Sequence, residues 1–443
     1  MNILAIETSF DETACAVVQD GMRIISNILA SSHEMHNKYG GVVPEIAARR
    51  QLECIIPVIT ESLQPLTTNN STLLHRSVEF LPDWMRKTIE KSIDAIAVTV
   101  GPGLIGSLLV GVETAKTIAF VTGKPIIPVN HVLAHMYANF INSSFVIPGL
   151  TRNPSSFSSG SRPASTRGEL GGRDDNKKIQ FPAISLVVSG GHTELYLMKS
   201  VKDLTWLGGT LDDAAGECFD KCARILGFGH GGGISIEKAA GTCHPGLAAP
   251  IRSFQRRRDP GSSSKIDSGS EAGMTSKNLT LPRPMINDKS LNFSFSGLKT
   301  AVMREWKTYH PGLAAPIRSF QRRRDPGSSS KIDSGSEAGM TNAFAHEIQE
   351  AITDVLVEKS LRAAKQYDAK SILLSGGVAA NTRLREKFLT KLRSNEATKL
   401  SFYAPSPALC TDNAVMIGAA AFFNGKPTNW HSLTAQPDLS VEA

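Results

Sequence analysis

No Cys-x-x-Cys pair occurs among the six cysteines of this 443-residue chain, which stand at positions 15, 54, 218, 222, 243 and 410. Without close pairs there is no dense disulfide framework, and a reduced, cytoplasmic protein is expected. The phosphate loop GxxxxGK[ST] is also missing, which excludes a P-loop enzyme. The opening MNILAIETS has no basic stretch and soon turns polar, so no signal peptide is expected. Long hydrophobic runs are scarce. The most membrane-like, IAVTVGPGLIGSLLVGV at 96–112, has 17 residues and is broken early by GPG. That is the lower edge of a membrane span. Strand, glycine turn and helix explain it better, and no membrane partner is expected.

What is present is a repetition. HPGLAAPIRSFQRRRDPGSSSKIDSGSEAGMT runs from His244 to Thr275 and recurs, letter for letter, from His310 to Thr341. Repeats that stack into solenoids or propellers resemble one another without being identical, and at least three are needed to close a core. Here 13 of the 32 residues are Ser, Gly or Pro, and the apolar ones follow no period of strand or helix. Such a segment buries too little to offset its ordering entropy. A looser relative, PGLTRNPSSFSSGSRPASTRGELGGRDD, lies at 148–175. All three read as inserts in a host protein, rather than as a basic binding arm, with 148–175 expected to be disordered.

Removing the inserts leaves roughly 350 residues, enough for two domains with sizeable cores. An N-terminal α/β lobe is expected over 1–147 and a C-terminal α/β lobe over 176–443, interrupted at 244–275 and 310–341. The last helix is a candidate to pack back on the N-terminal lobe. The inserts also supply five of the +7 net charge, so the host is nearly neutral and charge says little about a nucleic-acid partner.

Along the host, residues 2–9 are apolar and β-rich, followed by FDET, 14–18 and GMRIISNILA, a hairpin unit with an acidic turn. Pro44 suits a first helical turn, and Leu52, Ile55, Ile56, Ile59 and Leu63 keep helical spacing. Residues 67–90 read as polar and irregular. Strands are expected at 93–100 and 126–129, with a helix from about Leu108 between them, and Asn130 can cap the helix that carries His131 and His135. After the first insert the pattern restarts: strand 181–188, turn SGGHT, strand 194–199. A third unit follows, with a long helix through Phe344, Ile348, Ala351, Ile352 and Val355, strand 371–374, turn SGGVAAN and helix 382–392. Alternating strands and helices argue for α/β layers, and the doubling for two lobes with a ligand in the cleft.

Three constellations could carry chemistry. SGGH at 189–192 and SGGV at 375–378 each follow a strand, where glycine lets the backbone approach a phosphate. One such turn alone is an ordinary tight turn; two, with ETSFDET, point to a nucleotide-like ligand. His131 and His135 stand at i and i+4, on one helix face, a spacing that suits one metal, although a lone pair of this kind is more often structural. HVLAH lacks the glutamate of HExxH and with it that class's general base. Asp412, in CTDNAVM ahead of an apolar helix, is the best third ligand. Two histidines and a carboxylate suit Fe(II) or Zn. Lastly, GTLDDAAGECFDKCARILGFGHGGG at 209–233 mixes acids with glycine. Its Asp220 would meet a ribose or an amine, or the segment is a solvated, capped helix with Cys218 and Cys222 packed inward.

IETSFDET, GPGLIGSLLVG, NHVLAH, LVVSGGHTEL, LDDAAGECFDK, NFSFSGLKT, SGGVAANTRLR and CTDNAVMIG resemble, in order, the tRNA N6-adenosine threonylcarbamoyltransferase family, once called O-sialoglycoprotein endopeptidase. The resemblance covers essentially the whole host. It implies the two-lobed actin/Hsp70/sugar-kinase architecture. It further implies that His131, His135 and Asp412 hold one divalent metal, iron with zinc as the alternative. Val187, Val188, Ser189, Gly190 and Gly191 would line the substrate with Asp220, Gly233, Glu237 and Asn381, while Asp11 would lie in an acidic turn needed for activity. The implied reaction moves threonylcarbamoyl from its AMP anhydride to N6 of adenosine 37 in tRNAs reading ANN codons, alongside a smaller paralogous subunit and a P-loop ATPase. The chain departs from the family pattern at Phe10, where Cys is usual, at Val100, where Arg is usual, and at 230–234, which reads HGGGI for YPGGP. The inserts resemble in-frame copies of a mobile palindromic genetic element.

Overall fold

The first strand, β1 (Asn2–Glu7), shows why this lobe needs helices on both sides: Ile3 and Ala5 face one core, Leu4 and Ile6 another, and all four are fully buried. Strand side chains alternate between faces, so a strand with four successive apolar residues must be covered twice. In this computed structural model residues 1–36, 39, 41–67, 81–141, 179–228, 231–241, 279–309, 334–394 and 400–441 are described.

The N-terminal lobe runs β1, β2 (Glu12–Gln19), β3 (Arg23–Ser31), the short α1 (His33–His36), α2 (Pro44–Leu63), α3 (Asp83–Ser92), β4 (Ala95–Gly101), α4 (Ile105–Thr122), β5 (Ile126–Asn130) and α5 (His131–Tyr137). Its sheet has the order β3-β2-β1-β4-β5. The β1–β2 and β2–β3 pairs are antiparallel; β1–β4 and β4–β5 are parallel. The C-terminal lobe runs β6 (Ala183–Val188), β7 (Thr193–Met198), β8 (Leu204–Gly209), α6 (Ala215–Ile225), α7 (Gly232–Gly241), α8 (Ser296–Tyr309), α9 (Ser334–Gln366), β9 (Ser371–Ser375), α10 (Thr382–Ser394), β10 (Ser401–Tyr403) and α11 (Ala414–Asn424). Its sheet order, β8-β7-β6-β9-β10, repeats the first: two antiparallel pairs, then two parallel ones. The same five-stranded topology twice over makes this a two-lobed, duplicated α/β fold of the actin/Hsp70/sugar-kinase kind.

One face of the first sheet is covered by α2, α3 and α4. The other is covered by α5 and α11, whose small residues permit close approach: a Cβ on Gly418 would lie 2.7 Å from Val18. Thus α11, late in the chain, packs on the N-terminal sheet. The tail follows it there, with the Gln436 N–H bonded to the Val100 carbonyl and the Gly103 N–H to that of Pro437. In the second lobe α6, α7, α8, α9 and α10 share one core against β6, β7 and β9. The other face of that sheet, Ala183, Val187, Tyr196 and Met198, meets Val132 and Met136 of α5. The short α5 is therefore wedged between the two sheets.

Several expectations needed revision. Residues 83–90 of the stretch read as irregular belong to α3, in which only Met85 and Ile89, one turn apart, are buried. Strands β8 and β10 were not anticipated. The inserts at 148–175 and 244–275 lie outside the described residues, as does 310–333 of the second perfect copy. Its last eight residues, however, are the start of α9, and Met340 packs against the C-terminal core. The insert boundary at 341 thus falls inside a helix. Extending a nucleated helix needs no apolar period of its own. Among the described residues one helix, α4, is long and apolar enough to cross a membrane, and half of it is buried within the fold.

Candidate metal centre and substrate turn

Asn130 ends β5 and starts α5 in one residue. Its side-chain oxygen accepts from the N–H groups of Val132 and Leu133, at 2.9 and 3.1 Å, so the helix begins at once and carries His131 in its first turn. With α5 packed on both sheets, His131 and His135 point together toward the loop ahead of α11. There Asn413 caps α11 through the Met416 N–H and leaves Asp412 just outside the helix. Asp412 Oδ1 lies 3.5 Å from His131 Nε2 and 3.4 Å from His135 Nε2. The ligand atoms of all three lie within 4.8 Å of one another.

The residues fit a metal. Among the described residues, buried Nδ1 of His135 has no hydrogen-bond partner and buried Nε2 has only the Asp412 carboxylate at 3.4 Å, an arrangement that costs free energy until something takes a lone pair. Ligand atoms about 2.0–2.1 Å from one ion sit about 3.4 Å apart in a tetrahedron, close to the separations from Asp412. Charge agrees. Burial opposes a proton on His131, but Asp412 and Glu7 outweigh it and raise the pKa to about 9, while burial lowers that of His135. Burial would raise Asp412, yet His131 and His135 hold it at about 2. The pocket is built to hold positive charge beside a carboxylate.

The turn SGGH joins β6 to β7 beside this centre. Ser189 is buried, its Oγ accepting from the His192 N–H at 3.1 Å, while Gly190 and Gly191 are exposed and a Cβ on either would meet nothing within 4 Å. Val187 and Val188 are buried strand residues behind it. The second turn is different. Gly376 has φ +90° and a Cβ there would strike the Val188 carbonyl oxygen at 2.3 Å, so this glycine serves strand packing. Because β6 and β9 are parallel neighbours, the two turns lie side by side at the carboxyl ends of their strands, where open α/β sheets bind ligands.

The other candidates are distributed around this edge. Asp220 packs under Gly232, where a Cβ would come within 2.6 Å of its Oδ1; Gly233 faces open space. Glu237 accepts from the Thr382 N–H at 2.8 Å, and Asn381 accepts from the Leu384 N–H while donating to Gln349, so both help to start α10. Asp11 is half-buried in the turn between β1 and β2. Gln51 holds that turn by donating to the carbonyls of Thr8, Phe10 and Glu12, and Ser107 donates to that of Phe10.

Four residues at the centre escaped sequence reasoning: Glu7, Ser9, Glu12 and His192. A carboxylate closing the apolar strand NILAIE was the available signal for Glu7. Burial, then Asp11, raises Glu12 to about 8 against the Ser31 hydroxyl. Burial, then His131 and His135, depresses His192 to about 4, so its ring is neutral at pH 7.

A family model for tRNA N6-adenosine threonylcarbamoyltransferase matches residues 23–75, 77–151, 170–259 and 251–419. The chain belongs to this family. A relative from Thermomicrobium roseum bearing that name is 39% identical over 100% of this chain and 96% of its own length. One from Syntrophomonas wolfei is 38% identical over 99% and 97%. Among solved structures, component A of the Acidaminococcus fermentans (R)-2-hydroxyglutaryl-CoA dehydratase aligns over 95% of this chain and 98% of its own, at 11% identity and a TM-score of 0.40. Membership makes the protein a transferase that forms threonylcarbamoyladenosine on tRNA.

Proposed function

We propose that the chain transfers the threonylcarbamoyl group from threonylcarbamoyl-AMP to N6 of adenosine 37 in tRNAs that read codons beginning with A, releasing AMP. The observation that carries this reading is the convergence of His131, His135 and Asp412 beside the open Gly190–Gly191 backbone. The metal is iron, with zinc as the alternative; when bound it supplies Lewis-acid polarisation of a phosphate or carbonyl oxygen. The chain's own residues do the rest. Ser189, Gly190 and Gly191 lie along the nucleotide part of the substrate, in front of Val187 and Val188, with Asp220, Gly233, Glu237 and Asn381 around the nucleoside. The mixed anhydride arrives activated, so catalysis is positioning plus stabilisation of developing charge. As N6 bonds to the carbonyl carbon, the carbon–oxygen bond to phosphate breaks and AMP leaves with the electron pair. The N6 proton passes to the Asp11 carboxylate.

The same reading places the protein in the cytoplasm, with a smaller paralogous subunit and a P-loop ATPase as partners. A metallopeptidase is disfavoured because Val132, Leu133 and Ala134 stand between the two histidines, where HExxH carries its base. Reconstitution with tRNA, threonine, bicarbonate, ATP and the partner proteins, followed by nuclease digestion and mass spectrometry, is the test. Threonylcarbamoyladenosine confined to adenosine 37 is expected. An unmodified tRNA with a loaded metal site would sink the proposal.

A further inference from the structure

Glu7 is fully buried at the end of β1, directly after the apolar run Ile3–Ile6. Its Oε1 accepts from the Ser9 N–H at 2.5 Å, and its Oε2 accepts from the Thr99 hydroxyl at 2.5 Å. The same Oε2 lies 3.2 Å from Nδ1 of His131, which is also 3.1 Å from the Ser9 hydroxyl. The opposite nitrogen of that ring, Nε2, faces Asp412. When an ion takes the lone pair of Nε2, the one N–H left on a neutral imidazole is at Nδ1, and the acceptors within its reach are Glu7 Oε2 and the Ser9 hydroxyl.

We propose that Glu7 is the positioning residue of the metal centre: it fixes the tautomer and ring orientation of His131, so that this histidine is a preset ligand. Among the described residues His135 has no such partner on Nδ1. The two imidazoles are thus held unequally, one locked from behind by the strand and one without a described partner on its far nitrogen. A partner of this kind on a metal-ligating histidine is worth roughly 10–100-fold in metal affinity. The inference rests on the metal reading above.

The test uses the full chain, stripped of metal and titrated with Zn(II) against a chelating dye, with circular dichroism of the stripped protein as the folding control. Glu7→Gln keeps the side-chain volume but sets an amide NH2 among donors, which favours the wrong tautomer. Zn(II) affinity is expected to fall about 10–100-fold while the stripped protein stays folded. Wild-type affinity in folded Glu7→Gln overturns the proposal. If Glu7→Gln does not fold, wild-type protein with 15N-labelled histidine decides after Zn(II) loading, His131 being assigned by its absence in His131→Gln. A proton on Nδ1 with zinc on Nε2 is expected, and zinc on Nδ1 overturns the proposal. Failure of the wild type to take up Zn(II) would instead bring down the metal reading, and the Glu7 inference with it.

Discussion

Gly216 separates two arguments that predict opposite signs. It lies in the first turn of α6, where Gly→Ala should favour the helix by up to about 1 kcal/mol. A Cβ there, however, would come within 2.4 Å of the Ser189 carbonyl oxygen and 2.8 Å of the Gly190 Cα. Ordinary contact begins near 3.4 Å, so the SGGH turn must retreat by about 1 Å. Both obstacles are backbone atoms, and no rotamer change relieves them. A displacement of that size at a substrate-positioning element costs on the order of 100-fold in rate, or about 2.7 kcal/mol. The expected outcome for Gly216→Ala is a melting temperature within a few degrees of wild type, unchanged metal content and a kcat/KM for threonylcarbamoyladenosine formation about 100-fold lower. The assay is single-turnover transfer to tRNA with preformed threonylcarbamoyl-AMP. Wild-type kcat/KM in a folded Gly216→Ala protein would refute the claim that this turn positions the substrate.

Asp11→Ala is expected to keep metal and nucleotide bound yet lose transfer; a normal transfer rate removes Asp11 from the mechanism. Glu350 pairs with Arg383 at 2.7 Å and Lys387 at 3.0 Å. Burial would raise its carboxyl, but these partners hold it at about 2, below the ordinary 4.5. A depressed acid stabilises the fold above its unfolded value, and the gain is lost as pH falls through the folded one. Glu350→Gln should therefore cost about 1–2 kcal/mol in urea unfolding at pH 7, with the difference from wild type shrinking between pH 4.5 and 2. Excising 310–341 removes two turns of α9 with Met340, whereas excising 310–333 spares them. Melting curves should show the longer excision less stable by about 1 kcal/mol, and equal curves would mean those turns contribute nothing.

What could be read from the sequence was what local rules decide. Asn130 as a cap, Pro44 at a helix start and the strands flanking SGGH follow from residue type and period; of the stripe read for α2, Ile55, Ile59 and Leu63 are buried while Leu52 is exposed. The histidine pair and Asp412 were legible because HVLAH fixes one face and CTDN marks the entry to an apolar helix. What stayed hidden depended on distant partners. The edge strand β8 exposes Thr205 and Trp206 and owes its existence to pairing with β7, and β10 is three residues long. Glu7 looked like the end of a strand because Thr99 and His131, its partners, are 92 and 124 residues away.

The seven-residue α5 has a consequence for energetics. Val132 and Met136 are anchored in the second sheet, Ala134 and Tyr137 in the first, and the Tyr137 hydroxyl donates to the Val201 carbonyl across the divide. One lobe cannot rotate against the other without pulling α5 off one of the two sheets it packs on. A ligand that changed the angle between lobes, and in doing so displaced His131 or His135, would change the affinity of the site for an ion, and by reciprocity the ion would change that ligand's affinity by the same factor.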